Sequence, residues 1–172
     1  MNKHKVLIPI DGRDFSRQIV PCVRRFLPVE QNELILLRVG DEVHGMVGMP
    51  AKPVAWDVST SMYSSERDLV ASKHPIYASQ EWESAVADVR HSMDSDVHLL
   101  EMAGYAVTSV VRIDKSPGTA ILRYIETHDV DLVAMTTHGR TGVGRMLFGN
   151  VAQTLAQHLQ IPMMIVRPTA EL

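Results

Sequence analysis

Apolar positions along the chain follow two rhythms, continuous short runs and stripes spaced by three and four. Lys5-Val6-Leu7-Ile8-Pro9-Ile10 is a β-branched-rich run ended by Asp11-Gly12, which predicts a buried strand and a turn. Ser16 then stands as a helix N-cap, and Ile19, Val20, Val23, Phe26 and Leu27 form one stripe of the helix that follows. Pro21 falls inside that stripe, so it is expected to kink the helix or delay its start. Glu33 to Val39 reads as a second strand, apolar on both faces as parallel strands are. A long helix is predicted from Ser79 to Ala103 on Trp82, Val86, Val89, Met93, Val97 and Leu100, with Gly104 as its stop. Ala106–Ile113 is a third strand. Ser116-Pro117 opens a helix whose inner stripe is Ala120, Ile121, Tyr124, Ile125 and His128. Asp131–Thr136 is a fourth strand. A glycine-rich loop from His138 to Gly149 leads to a helix bearing Val151, Leu155 and Leu159, and Pro162–Arg167 is the last strand.

Strands that alternate with helices predict an α/β fold, a doubly wound five-stranded parallel sheet with helices on both faces. The expected strand order is 3-2-1-4-5. Ligands in such sheets bind where the winding reverses, beyond the carboxyl ends of the strands. Asp11, after the first strand, and the Thr136–Gly149 loop, after the fourth, are the segments that meet there. Residues 40–78 fit no element well. They carry Pro50, Pro53 and Pro75, with Glu66–Ala71 as the one candidate helix. A connection this long in a compact domain, where about 4–6 residues are usual, suggests an insertion with a job.

The 172 residues make one domain, 1–172, with that variable insertion. The balance of 45% hydrophobic and 22% charged residues excludes disorder as the main theme. A net charge of −3 provides no basic field for a nucleic-acid backbone. No apolar run approaches the roughly 20 residues of a membrane span, and the first residues lack a signal-peptide core. The single Cys22 excludes an internal disulfide and a cysteine-rich metal site. These observations predict a cytoplasmic protein with neither membrane nor nucleic acid as partner.

The loop from His138 to Asn150 carries most of the chemistry. Glycines let backbone amides approach an anion, and the helix beginning near Asn150 adds the positive end of its dipole. Gly139 and Gly144 have P-loop spacing, but Arg145-Met146 replaces the required Lys and Ser/Thr, so that reading fails. Gly142-Val143-Gly144 begins a dinucleotide fingerprint but runs into Leu147 and follows the wrong strand.

The chain resembles the universal stress protein family. The likeness rests on Val6–Gly12, on Asp131–Gly142, on Leu147–Ala152 and on Pro162–Val166, covering residues 3–39 and 106–168. Members that bind ATP follow a pattern of Gly, two residues, Gly, nine residues, Gly, then Ser or Thr. On this chain Gly139 and Gly149 occupy the second and third positions. Thr136 replaces the first Gly, and Asn150 replaces the hydroxyl residue. The resemblance implies that Pro9, Asp11 and Val39 surround the adenosine and that Met135 and Thr136 floor the ribose. Gly139, Gly149, Asn150 and Val151 would cradle the phosphates. Asn150 retains a polar donor and reads as an N-cap. Thr136 sets a β-branched side chain where backbone is meant to meet ligand.

The cofactor so implied is ATP, with or without Mg, or AMP or another adenine nucleotide. Blander readings stand beside it. Asp11 also suits a turn cap, Arg140 and Arg145 suit a solvated loop, and His138 suits packing of that loop. His91 and His98 lie seven apart on one helix without ligand spacing or a carboxylate–histidine constellation, so no zinc site is expected, and Cys22 reads as a small buried hydrophobe. Three functions remain open: a nucleotide-binding stress-response or signalling protein, a slow ATPase, and a dimeric interaction module without nucleotide. The resemblance also implies a homodimer. The apolar edge strand at 162–167 suggests the same surface, since free edges demand pairing or cover.

Overall fold

The computed structural model describes residues 3–40, 83–84, 86–137 and 149–167. The insertion with its Glu66–Ala71 candidate, Trp82, and the loop residues His138, Gly139, Arg140 and Arg145 lie outside the described residues. Strands β1 (His4–Pro9), β2 (Asn32–Gly40), β3 (Ala106–Ile113), β4 (Leu132–Thr136) and β5 (Met163–Val166) form one sheet. Its order is β3-β2-β1-β4-β5 and every pairing is parallel, as the alternation of elements requires. Helices α1 (Asp14–Arg17), α2 (Ile19–Phe26), α3 (Asp94–Met102), α4 (Pro117–Thr127) and α5 (Asn150–His158) cover it.

The continuous apolar runs are explained by burial on both faces. Val6, Ile8, Leu34, Leu36 and Ala134 point to one side, where Ile19, Val23, Met93 and Leu100 of the α2–α3 region close the core. Leu7, Ile35, Leu37, Val133 and Met135 point to the other, against Ile121 and Tyr124 of α4 and Ala152 and Leu155 of α5. Each fully buried Leu or Ile removes enough apolar surface from water to contribute about 1.5–3 kcal/mol.

Three local expectations are corrected. Ser16 is not an N-cap; it lies buried inside α1 and its Oγ donates to the Arg13 carbonyl at 2.8 Å. The helix after it does start late, as Pro21 predicts: it is broken at Gln18, three residues before Pro21, whose ring lacks the N–H that would bond back across the break. The Ser79–Ala103 helix is likewise interrupted at Ser92 and Met93, yet Met93 and Leu100 remain fully buried across the break. The stripes are thinner than predicted: Phe26 is 60% exposed with Arg25 over its ring, and His128 lies beyond α4, exposed and stacked on Tyr124. Gly104 ends α3 as expected, with φ +96 in the left-handed region that favours glycine.

Candidate functional site

The winding of the sheet opens a crevice between β1 and β4. These strands register only at Val6↔Leu132 and Leu7↔Val133. Beyond that point each turns its hydrogen bonds outward. β1 stays with β2 to Pro9↔Leu37, and the Ile10 N–H donates to the Leu37 carbonyl at 2.9 Å. β4 stays with β5 to Thr136↔Val166, and the Thr137 N–H donates to the Val166 carbonyl at 3.0 Å. The two strand ends part at the place where a ligand of this fold type is expected.

Strand alternation sorts the candidate residues around that gap. Pro9 follows Leu7 on the α4–α5 side, where Met135 is buried and Val39 packs against the same cluster. Val151, in the first turn of α5, packs there too. Gly149 caps α5: its backbone is extended, at φ −68 and ψ 163, and its carbonyl accepts the first intrahelical bond from Gln153 N at 2.9 Å. Asn150 is therefore the first helical residue and exposed, not the N-cap. Among the described residues no side chain caps this helix, and its leading amides set the positive end of the α5 dipole at the carboxyl edge of the sheet. Pro9, Val39, Met135, Gly149, Asn150 and Val151 thus share one side of the sheet.

Thr136 is different. It is 5% exposed and alternates onto the face of Ala134, towards α1 and α2, so its side chain does not share the side of Met135. Asp11 carries the turn-capping role: its Oδ1 accepts from the Arg13 N–H at 2.9 Å, while Arg13 Nε stands 3.7 Å from Oδ2. Its carboxylate remains substantially exposed at the end of β1. Gly139 lies outside the described residues.

Two contacts escaped sequence reasoning. His91 Nδ1 lies 2.7 Å from Asp94 Oδ2 on the surface, a pair three residues apart that the sequence reading did not single out. Among the described residues no three His, Cys, Asp or Glu side chains gather as a metal site. The second is Arg38, whose guanidinium lies against Gly12 and bonds to Ser92 Oγ. A signal for it exists in the sequence, because Leu34, Leu36 and Arg38 share one face of a strand and only the last is charged.

Residues 3–167 match the Universal stress protein family. The chain belongs to the universal stress protein family. A universal stress protein of Methanocaldococcus jannaschii is 24% identical over 163 residues, covering 95% of this chain and 81% of the relative. The universal stress protein UspA of Lactobacillus plantarum superposes with a TM-score of 0.64 at 15% identity, over 97% of this chain and 99% of the other. An Arabidopsis thaliana family protein solved with AMP bound gives a TM-score of 0.57 at 13% identity, over 97% and 93% of the two chains. Two more distant universal stress protein structures contain cAMP and, in Archaeoglobus fulgidus, dAMP. Their TM-scores are 0.54 and 0.52, at 15% and 10% identity. They cover 98% and 95% of this chain and are themselves covered to 100% and 97%.

Proposed function

We propose that this universal stress protein binds an adenine nucleotide of the ATP type in the β1–β4 crevice and acts as a stress-response or signalling protein through that binding. The observation that carries the reading is the parting of β1 and β4 beyond Leu7 and Val133, with Pro9, Val39, Met135 and the amino end of α5 on one side of it. The apolar side chains suit an adenine ring and ribose, and leading amides at a helix end suit phosphates. In this reading Asp11 meets the ribose side, Thr136 lends the strand-end backbone, and Gly139, Gly149, Asn150 and Val151 face the phosphates. Relatives solved with AMP, cAMP and dAMP support the adenine class. Mg²⁺ would accompany ATP chiefly through the phosphates themselves. Binding, not hydrolysis, is the proposed output, in the cytoplasm.

The reading includes a homodimer joined through residues 162–167. β5 is an edge strand, and Met163, Met164, Ile165 and Val166 are each only half-buried. An apolar edge of this kind is relieved by pairing with its own copy across a two-fold axis. Mass spectrometry of small molecules released from the denatured protein tests the nucleotide reading. Stoichiometric adenine nucleotide supports it. A protein that emerges empty and gives no thermal shift with ATP, ADP, AMP or cAMP leaves only the interaction-module reading.

A further inference from the structure

Arg38 occupies an unusual position for a charged residue. It follows Leu34 and Leu36 on the core-facing side of β2, and its side chain reaches across the carboxyl end of β1. A Cβ built on Gly12 would stand 2.6 Å from Arg38 Nη1 and 2.8 Å from both Cζ and Nη2. The guanidinium therefore fills the seat that a side chain at residue 12 would need. Gly12 also has φ +81, so its backbone conformation and its missing side chain serve one arrangement. From this seat Arg38 Nη1 donates to Ser92 Oγ, and that hydroxyl donates to the Val89 carbonyl. Ser92 lies in the two-residue break before α3.

The same stretch of chain is tied a second time. Arg17 Nε, at the end of α1, donates to Asp96 Oδ1 in the first turn of α3 at 2.8 Å. The segment from Gly12 to Arg17 thus meets the Ser92-bonded Arg38 at one end and Asp96 at the other. The Asp11 turn overlaps the first of these contacts, and its carboxylate accepts from the Arg13 N–H.

We propose that Arg38 is a positioning residue of the nucleotide site: seated on Gly12 and bonded to Ser92, it fixes the turn that presents Asp11 at the crevice. This rests on the nucleotide reading given above. Arg38 does not touch the nucleotide, because it lies on the α2–α3 side of the sheet while Pro9, Val39 and Met135 lie on the other. A planar guanidinium can cover a glycine backbone and donate sideways at once; a lysine ammonium cannot do both.

The test compares wild type with Arg38→Met, which keeps the aliphatic stem, and Arg38→Lys, which keeps the charge. The first readout is amide hydrogen exchange in the nucleotide-free protein. Exchange at Arg13 should rise roughly tenfold in both variants while the amides of Leu34 and Leu36 stay protected. The second is calorimetric affinity for AMP, expected to fall roughly fivefold to tenfold in both, since small misplacements of a binding group are costly. Unchanged exchange at Arg13 overturns the inference, whatever the affinity does. A looser turn with unchanged AMP affinity also overturns it and leaves the nucleotide reading intact. Rescue of both readouts by Arg38→Lys would show that charge alone suffices and overturn the proposed seat on Gly12. A wild type that binds no AMP, ADP or ATP defeats the nucleotide reading itself, and Arg38 then positions only a turn.

Discussion

Arg17 and Asp96 meet through a 2.8 Å bond from Nε to Oδ1, and among the described residues Asp96 Oδ2 is buried with no partner. The pair is lopsided: the Asp96 side chain is 7% exposed and that of Arg17 38%. Asp96 and, secondarily, Asp14 hold the Arg17 guanidinium above its ordinary pKa, so it remains charged throughout the working range. Loss of Arg17 strands a buried carboxylate, whereas loss of the Asp96 charge leaves an arginine that still reaches Asp14 and water.

Arg17→Met is therefore expected to cost about 2 kcal/mol, less than a fully buried pair because solvent already screens the arginine. Asp96→Asn is expected to cost about 1 kcal/mol. Urea unfolding of both variants checks the asymmetry, and equal or reversed costs would contradict it.

Two phenols give the fold an alkaline limit. Burial is the main cause that raises Tyr105 and Tyr124 above the ordinary value of 10.0. Below that value both states hold the proton and the contribution is fully present. Above it the unfolded chain ionises first, so stability falls as pH rises through the folded values. Unfolding free energy should begin to drop as pH rises past about 10, where unfolded tyrosine ionises. Tyr105→Phe should lose about 1 kcal/mol at neutral pH with its bond to the Leu27 carbonyl, and then show a shallower alkaline drop. An unchanged slope in that variant would refute the assignment.

Much of the fold was legible because parallel strands announce themselves. Val6–Ile8, Leu34–Leu37 and Val133–Met135 are apolar on both faces, and the strand order follows from the alternation of elements. Pro21 signalled the late start of α2, but the break at Ser92 was not legible, because Val89, Met93 and Leu100 keep helical spacing across it. Asp96 was hidden for another reason. A lone aspartate among polar neighbours reads as surface, and its partner is distant in sequence. At the candidate site, Pro9, Val39 and Met135 could be placed together from topology. The outcome for Thr136 depends on which face the last residue of a strand turns to, which a motif does not state.

That face carries a prediction. With its side chain on the α1–α2 side, Thr136→Gly should change nucleotide affinity by less than about threefold, because no occluding group is removed from the opposite side. It should lower stability by about 1–2 kcal/mol through a buried void and a glycine in a strand. Calorimetry and urea unfolding separate the two effects. A severe loss of affinity would mean that the threonine hydroxyl is itself a ligand contact.

Ile165→Lys addresses the proposed subunit interface. A charge at the middle of β5 should leave the monomer folded, since Ile165 is only half-buried, while blocking edge-to-edge pairing. Light scattering should show a dimer mass for wild type and a monomer mass for the variant. A wild type that is monomeric at micromolar concentration would refute the interface.

Titration calorimetry of AMP and ATP into wild type and Gly149→Val reports whether the crevice and the amino end of α5 hold a nucleotide. Gly149 is the cap residue from which the amides of α5 emerge, and a branched side chain there blocks close approach of a phosphate. Saturable one-to-one binding by wild type, reduced at least roughly 100-fold in a variant that still unfolds cooperatively, is the predicted result. Binding of equal strength in both proteins, or none in either, would contradict it.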